Sequence, residues 1–278
     1  MATRALVVGG TGGIGYAIAC RIAGDSASSS VIISGRNKPA NIPHANIEFR
    51  QLDASSMRSI KQYTDAYKAA KEPHLDMLVL TQGILTPAGR TETPEGIDRK
   101  MALHHYGKQL LIRELTPVLK DDAKILLVLD GSRGDPNKLV WDDLDLKNHF
   151  SLGNAATHCI TMTDGMIQAL AKEHKDTKRH FVHAYPGFVG TGIFQNLPWY
   201  LRAGSQALSS LLATSPDTCA KNLLKGTDEV AAGEKLWSCI GAKGEVVNKS
   251  AWTDEQIKKV EEHTWKIVDE AISKDISS

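Results

Sequence analysis

The stretch from Ala5 to Ala19, Ala-Leu-Val-Val-Gly-Gly-Thr-Gly-Gly-Ile-Gly-Tyr-Ala-Ile-Ala, leaves few folds open to this chain. Ala5 to Val8 are four apolar residues, the length of a short buried strand. A glycine-dense turn follows, and a helix begins near Gly13. Gly9, Gly13 and Gly15 stand four and two residues apart. Glycine permits the sharp turn and lets a pyrophosphate reach backbone N–H groups at a helix N-terminus, where the helix dipole favours negative charge. Strand, glycine turn and helix in that order point to nucleotide binding.

The chain has 278 residues, 42% of them hydrophobic, enough for one large α/β core or two small ones. A formal net charge of +1 gives no broad field for nucleic acid or an anionic membrane. Cys20, Cys159, Cys219 and Cys239 are far apart and form no Cys-x-x-Cys pair. They read as buried thiols in a reducing compartment rather than a disulfide frame or a metal site. No apolar run approaches the ~20 residues of a membrane span, and the N-terminus lacks a signal-peptide core. The expectation is a cytoplasmic protein acting on a small molecule, with no nucleic-acid partner and no membrane span.

Further strands are expected at Val31–Ser34, Ile47–Phe49, Leu75–Thr81, Lys124–Leu129, Phe181–Ala184 and Leu236–Ile240. Helices are expected at about 55–70, with Ser55 or Ser56 as N-cap, and at 94–120, 152–173 and 254–272. Regular alternation of strand and helix, with strands apolar on both sides, predicts an α/β chain. Its core would be a Rossmann-type, doubly wound parallel sheet of about seven strands with helices on both faces. With no repeats and no linker, residues 1–278 read as a single domain. The aromatic and leucine-rich segment 188–216, with Trp199 and Tyr200, follows the sixth strand and is expected to be a flap over the substrate.

These motifs together resemble the short-chain dehydrogenase/reductase family over nearly the whole chain. Gly9-x-x-x-Gly13-Ile14-Gly15, with Thr11 in the turn, is similar to the family's cofactor turn, though Val8 stands where a threonine is usual. Asp53 matches its adenine-contacting aspartate, and Leu80-Thr81-Gln82-Gly83 sits where the family has Asn-Asn-Ala-Gly. Pro186-Gly187-Phe188-Val189-Gly190-Thr191 resembles the segment beside the nicotinamide carboxamide. The resemblance implies a nicotinamide cofactor and assembly as a homo-dimer or homo-tetramer. Strand two ends in Gly35-Arg36-Asn37 with no acid to accept from ribose hydroxyls, and a guanidinium there offers a planar fork to a 2′-phosphate. NADP(H) is therefore the expected cofactor.

The family's catalytic residues are not where the resemblance puts them. Counting back from Pro186-Gly187, its Tyr-x-x-x-Lys pair falls at Ala156 and Ile160, its serine at Asp130 to Ser132, and its helix asparagine near His104. The only Tyr-x-x-x-Lys, Tyr67 to Lys71, lies on the helix between strands three and four and reads as a solvated face remote from the nicotinamide. Asp130, Arg133 and Asp164 remain as candidate catalytic groups, Asp164 one turn beyond the missing lysine; a structural ion pair is the competing reading for Arg133. A subgroup of fungal family members looks similar. It includes bifunctional reductase/Diels–Alderases of indole-alkaloid biosynthesis that use NADPH with an arginine and an aspartate, and Arg133 and Asp164 stand where those residues would be expected. Three functions stay open. They are an NADPH-dependent reductase of an iminium or carbonyl in a secondary metabolite, an isomerase or cyclase, and a non-catalytic nucleotide-binding protein. NADPH is expected to bind about 10–100-fold more tightly than NADH, the scale of one or two charge-assisted bonds. Arg36→Asp is expected to remove most of that preference, and calorimetric titration of both cofactors checks it.

Overall fold

The computed structural model describes residues 2–190 and 213–274. Its centre is one sheet of eight strands in the order β3-β2-β1-β4-β5-β6-β7-β8. The strands are β1 (Arg4–Val8), β2 (Ser30–Gly35), β3 (Ile47–Gln51), β4 (Leu75–Leu80), β5 (Leu119–Val128), β6 (His180–Ala184), β7 (Trp237–Ile240) and β8 (Val246–Val247). The first seven run parallel, and β8 pairs antiparallel with β7. The alternation of side chains along β1 shows why its residues are apolar throughout. Leu6 and Val8 pack into one layer, and Ala5 and Val7 into the other.

Helices α2 (Met57–Ala69), α4 (Gly107–Leu115), α5 (Leu152–Glu173) and α7 (Asp254–Ser273) fill the first layer, and α1 (Gly13–Asp25) and α6 (Pro216–Ala231) fill the second. Side-chain caps set several helix starts. Ser56 accepts from the Ser59 N–H, Ser151 from the Asn154 N–H, and Thr253 forms a reciprocal capping box with Gln256. All four cysteines are free, and among the described residues no helix is long and apolar enough to cross a membrane.

The structure corrects four expectations. The expected helix at 94–120 is several pieces. Asp98 accepts from the Lys100 and Met101 N–H groups and starts α3 (Arg99–Met101), a π-helical turn covers Ala102–Tyr106, and α4 ends at Leu115 just before Pro117. Strand five is longer than predicted, beginning at Leu119, because Leu119 pairs with Leu75 before a register shift that takes up the residues up to Lys124. An eighth strand of two residues was not legible, since Val246–Val247 follows a tight Gly241–Gly244 turn and is too short to show a period. Finally, Tyr67 is buried in the core with the Arg50 guanidinium 5.4 Å above its ring, and Lys71 lies beyond the end of α2 at φ 49°. The two residues therefore do not share a solvated helix face.

Of the expected flap, residues 191–212, including Thr191, Trp199 and Tyr200, lie outside the described residues. Its two ends are joined, the Gly190 N–H donating to the Thr214 carbonyl and the Thr214 N–H to the Phe188 carbonyl. Because Tyr67 and Lys71 lie at and beyond the C-terminal end of α2, away from its start at Ser56, Tyr67→Phe combined with Lys71→Met should leave NADPH affinity unchanged in calorimetry. A loss of more than a few-fold with the fold intact would contradict the placement of the cofactor end.

Candidate active site

At the carboxyl ends of β1 to β4 lies a cleft of about 400 Å³. Its floor is the β1–α1 turn. Gly9 and Gly13 adopt φ of +81° and +54°, in the left-handed region that disfavours side chains. A Cβ at Gly15 would come 2.3 Å from Thr81 Oγ1, while one at Gly12 would meet nothing and would only fill the cradle. Helix α1 starts at Gly12 with no side-chain cap, so its first N–H groups face the cleft without an intrahelical acceptor. An uncapped helix start, open glycines and a neighbouring cation suit a phosphate. The residues present thus fit a dinucleotide.

Most of the predicted cofactor residues meet here. Gly9, Thr11, Gly13, Ile14, Arg36, Asp53 and Gly83 line the cleft. The Thr11 hydroxyl lies where a Cβ on Gly35 would be 2.7 Å away, beside Arg36. Arg36 is exposed, and its guanidinium has no carboxylate partner among the described residues. Asp53 Oδ1 accepts from the Ser55 N–H at 3.0 Å and the Ser55 hydroxyl at 2.7 Å, an arrangement that shapes the start of α2. Asn37 is exposed and does not line the cleft. Pro186, Gly187 and Val189 sit farther along the edge at the end of β6, where Gly187 has φ +74°. A larger hollow of about 470 Å³, between residues 92–98 and the end of α7, holds none of the predicted site residues.

The candidate catalytic groups divide. Asp130 and Arg133 come together just past β5, with Arg133 Nε 2.5 Å from Asp130 Oδ2. Asp130 is buried, while the Arg133 side chain is 72% exposed and lies 6.0 Å from the Tyr185 ring centroid. Asp164 is not part of that pair, and none of the three lines the cleft. Two steps of four residues from position 156 rotate the side chain by about 80°, which carries it from the open side of α5 toward the sheet. Ala156 is exposed, Ile160 half-buried and Asp164 buried, as that drift requires.

Asp164 instead centres a network that the sequence did not reveal. His183 Nδ1 lies 2.6 Å from its Oδ1, Lys249 Nζ lies 3.3 Å from its Oδ2, and Cys239 Sγ lies 3.6 Å from Oδ1. The Asp130 N–H donates to His183 Nε2 at 3.2 Å, so Nε2 accepts and the ring proton sits on Nδ1. Lys249 also donates to the Gly134 carbonyl at 2.8 Å. Both ends of the 130–134 loop are thereby tied to Asp164. The loop packs so tightly that a Cβ at Gly134 would fall 1.8 Å from Asp164 Oδ2.

The π-helical turn places His104 against Gly83, where a Cβ would come 2.6 Å from the imidazole. Its Nε2 lies 2.9 Å from the Ile84 carbonyl, and burial pushes its pKa down to about 4. One turn on, Lys108 is wholly buried, donates to the Val128 carbonyl at 2.6 Å and is pushed down to about 7 by burial. A lysine between Gly107 and Gln109 gives no sequence signal for this. Between about pH 7 and 10.5 the unfolded chain keeps a proton on this lysine that the folded chain has released, so stability rises with pH across that window. Lys108→Met should flatten this rise, read as a wild-type-minus-variant difference in melting temperature from pH 7 to 10.

Similarities to known proteins agree with this geometry. The model of the short chain dehydrogenase family matches residues 3–129. An oxidoreductase of Emericella nidulans is 34% identical over 202 residues, covering 69% of this chain and 60% of the relative. An oxidoreductase of Emericella variicolor is 29% identical over 200 residues, covering 67% and 58%. The chain thus spans about three fifths of the length of these two relatives. A short-chain dehydrogenase/reductase from Burkholderia multivorans with bound NADP has the same fold. The TM-score is 0.63 at 14% identity, over 90% of this chain and 100% of that one. Sheet order, glycine turn and family match agree, and the chain belongs to the short-chain dehydrogenase/reductase family.

Proposed function

We propose that the chain is an NADPH-dependent reductase that delivers hydride to a carbonyl or iminium carbon of a small secondary metabolite. One observation carries this reading. The phosphate cradle of the glycine turn has Arg36 at its rim with no carboxylate partner among the described residues, while α5 offers Ala156 and Ile160 where a proton-donating pair is expected. The Burkholderia multivorans relative, which holds NADP, supports the choice of cofactor.

Bound NADPH would supply the hydride; the chain's own residues hold and polarise the acceptor. The α1 N-terminus and Arg36 would hold the phosphates. Asp130 fixes Arg133 through Nε, which leaves the terminal amino groups of the guanidinium for a substrate oxygen. A carbonyl that accepts hydride becomes an alkoxide, and a guanidinium fork stabilises that charge where no tyrosine is present. An iminium needs no proton in the same step, because hydride neutralises a charge already there. Asp164 acts indirectly, by holding the 130–134 loop. Residues 188–216, Thr191 included, would cover the substrate. The free thiols fit a reducing compartment such as the cytoplasm.

The loss of titratable groups on α5 also favours a second reading, cyclisation or isomerisation in a cleft that only shapes its substrate. Conversion without NADPH oxidation would decide for it, and NADPH binding without any conversion would leave a nucleotide-binding protein. Single-turnover NADPH oxidation against matched ketone and iminium panels tests the reductase. Arg133→Ala should slow ketone reduction by ~10²-fold and iminium reduction far less. Melting temperature should barely move, because the Arg133 side chain is exposed and the buried Asp130 carboxylate keeps the Ser132 N–H and hydroxyl as donors. Absence of NADPH oxidation with both panels would refute the proposal.

A further inference from the structure

The end of β4 carries a side chain that nothing in the described protein satisfies. Gln82 is 6% exposed, and neither its Oε1 nor its Nε2 has a hydrogen-bond partner among the described residues. Burying a carboxamide this way forfeits its hydrogen bonds to water, and folded proteins rarely leave such a group unpaired without a reason. The side chain lines the same cleft as Arg36 and Asp53.

Its position is held by the backbone around it. A Cβ on Gly9 would lie 2.6 Å from the Gln82 backbone nitrogen, so the glycine turn and the end of β4 are pressed together. The Thr81 N–H and hydroxyl both donate to the Val8 carbonyl, at 2.9 and 3.1 Å. Gln82 is thus presented by two adjacent strand ends that cannot easily shift.

We propose that Gln82 is a specificity residue of the cofactor cleft, its carboxamide donating to and accepting from the adenosine half of the bound dinucleotide. This rests on the cofactor assignment above. The assignment to that half follows from the walls. The cleft reaches Arg36, Asp53 and Ala54 at the ends of β2 and β3, and no residue from the ends of β5 or β6 lines it. A carboxamide needs a partner with a donor next to an acceptor, which ribose hydroxyls and the adenine edge provide and a phosphate does not.

Calorimetric titration of NADPH and of 2′,5′-ADP into wild type and Gln82→Met tests this, since methionine keeps the length and removes both polar atoms. Both ligands are expected to bind about tenfold more weakly to the variant, the loss of roughly one hydrogen bond. The melting temperature of the free protein should stay level or rise, because an unpaired polar group has been replaced by an apolar one. Unchanged affinity for both ligands would overturn the proposal, and so would a loss confined to NADPH with 2′,5′-ADP unaffected. A lower melting temperature of the free variant with unchanged affinity would assign Gln82 a structural role instead. If wild type binds neither ligand, the cofactor assignment itself falls, and the proposal with it.

Discussion

The arrangement of the candidate site depends on one buried carboxylate. Asp164 sits on α5, yet through His183 it reaches β6 and the Asp130 backbone, and through Lys249 it reaches the Gly134 carbonyl and the chain after β8. Each link is inside the protein, where charge–charge and charge–dipole forces are little screened. Removing one partner of such a buried set leaves another charge without compensation, at a cost of about 3–5 kcal/mol. The consequence for function is positional. The loop that carries Asp130 and Arg133 is fixed at both ends, while the Arg133 side chain itself remains exposed.

A second constraint is the close approach of β1 to β4. Parallel register brings Val8 level with Leu80, and the residues just beyond them, Gly9 and Thr81, meet at distances that admit no side chain. The same closeness that demands glycine also uncovers the first N–H groups of α1. Packing and phosphate binding thus have one cause. The two layers on either side of the sheet hold these strand ends in place, since each strand contributes side chains alternately to both.

The chemistry that survives follows from what stands on each side of this cleft. On the cofactor side the cradle is that of the family, with an arginine where an acid would favour NAD. Beyond the cleft, α5 carries Ala156 and Ile160, and just past β5 Asp130 pairs with Arg133. Such a pair can hold an oxygen or balance a cation, but it offers no phenol to give up a proton.

The sheet, its two helical layers and the glycine turn were legible in the sequence because they rest on local properties: apolar runs, helical spacing and residues that only glycine can replace. Gly9, Thr11, Gly13, Ile14, Arg36, Asp53 and Gly83 belong to segments whose ends converge in any doubly wound sheet, so their meeting in one cleft was foreseeable. The irregular parts were not. The π-helical turn at Ala102–Tyr106, the two-residue β8 and the early start of β5 depend on neighbours distant in the chain. The site residues that the sequence hid share this dependence. Whether Asp164 faced the cleft hung on about 80° of helix rotation, and His183, Lys249 and Lys108 look unremarkable in line. The sequence by itself determined the fold and the phosphate cradle, because short-range sterics and periodicity dictate both. Only the tertiary structure decided which charges are buried together and which polar groups go unpaired, because burial and dielectric environment are properties of the packed molecule rather than of any segment.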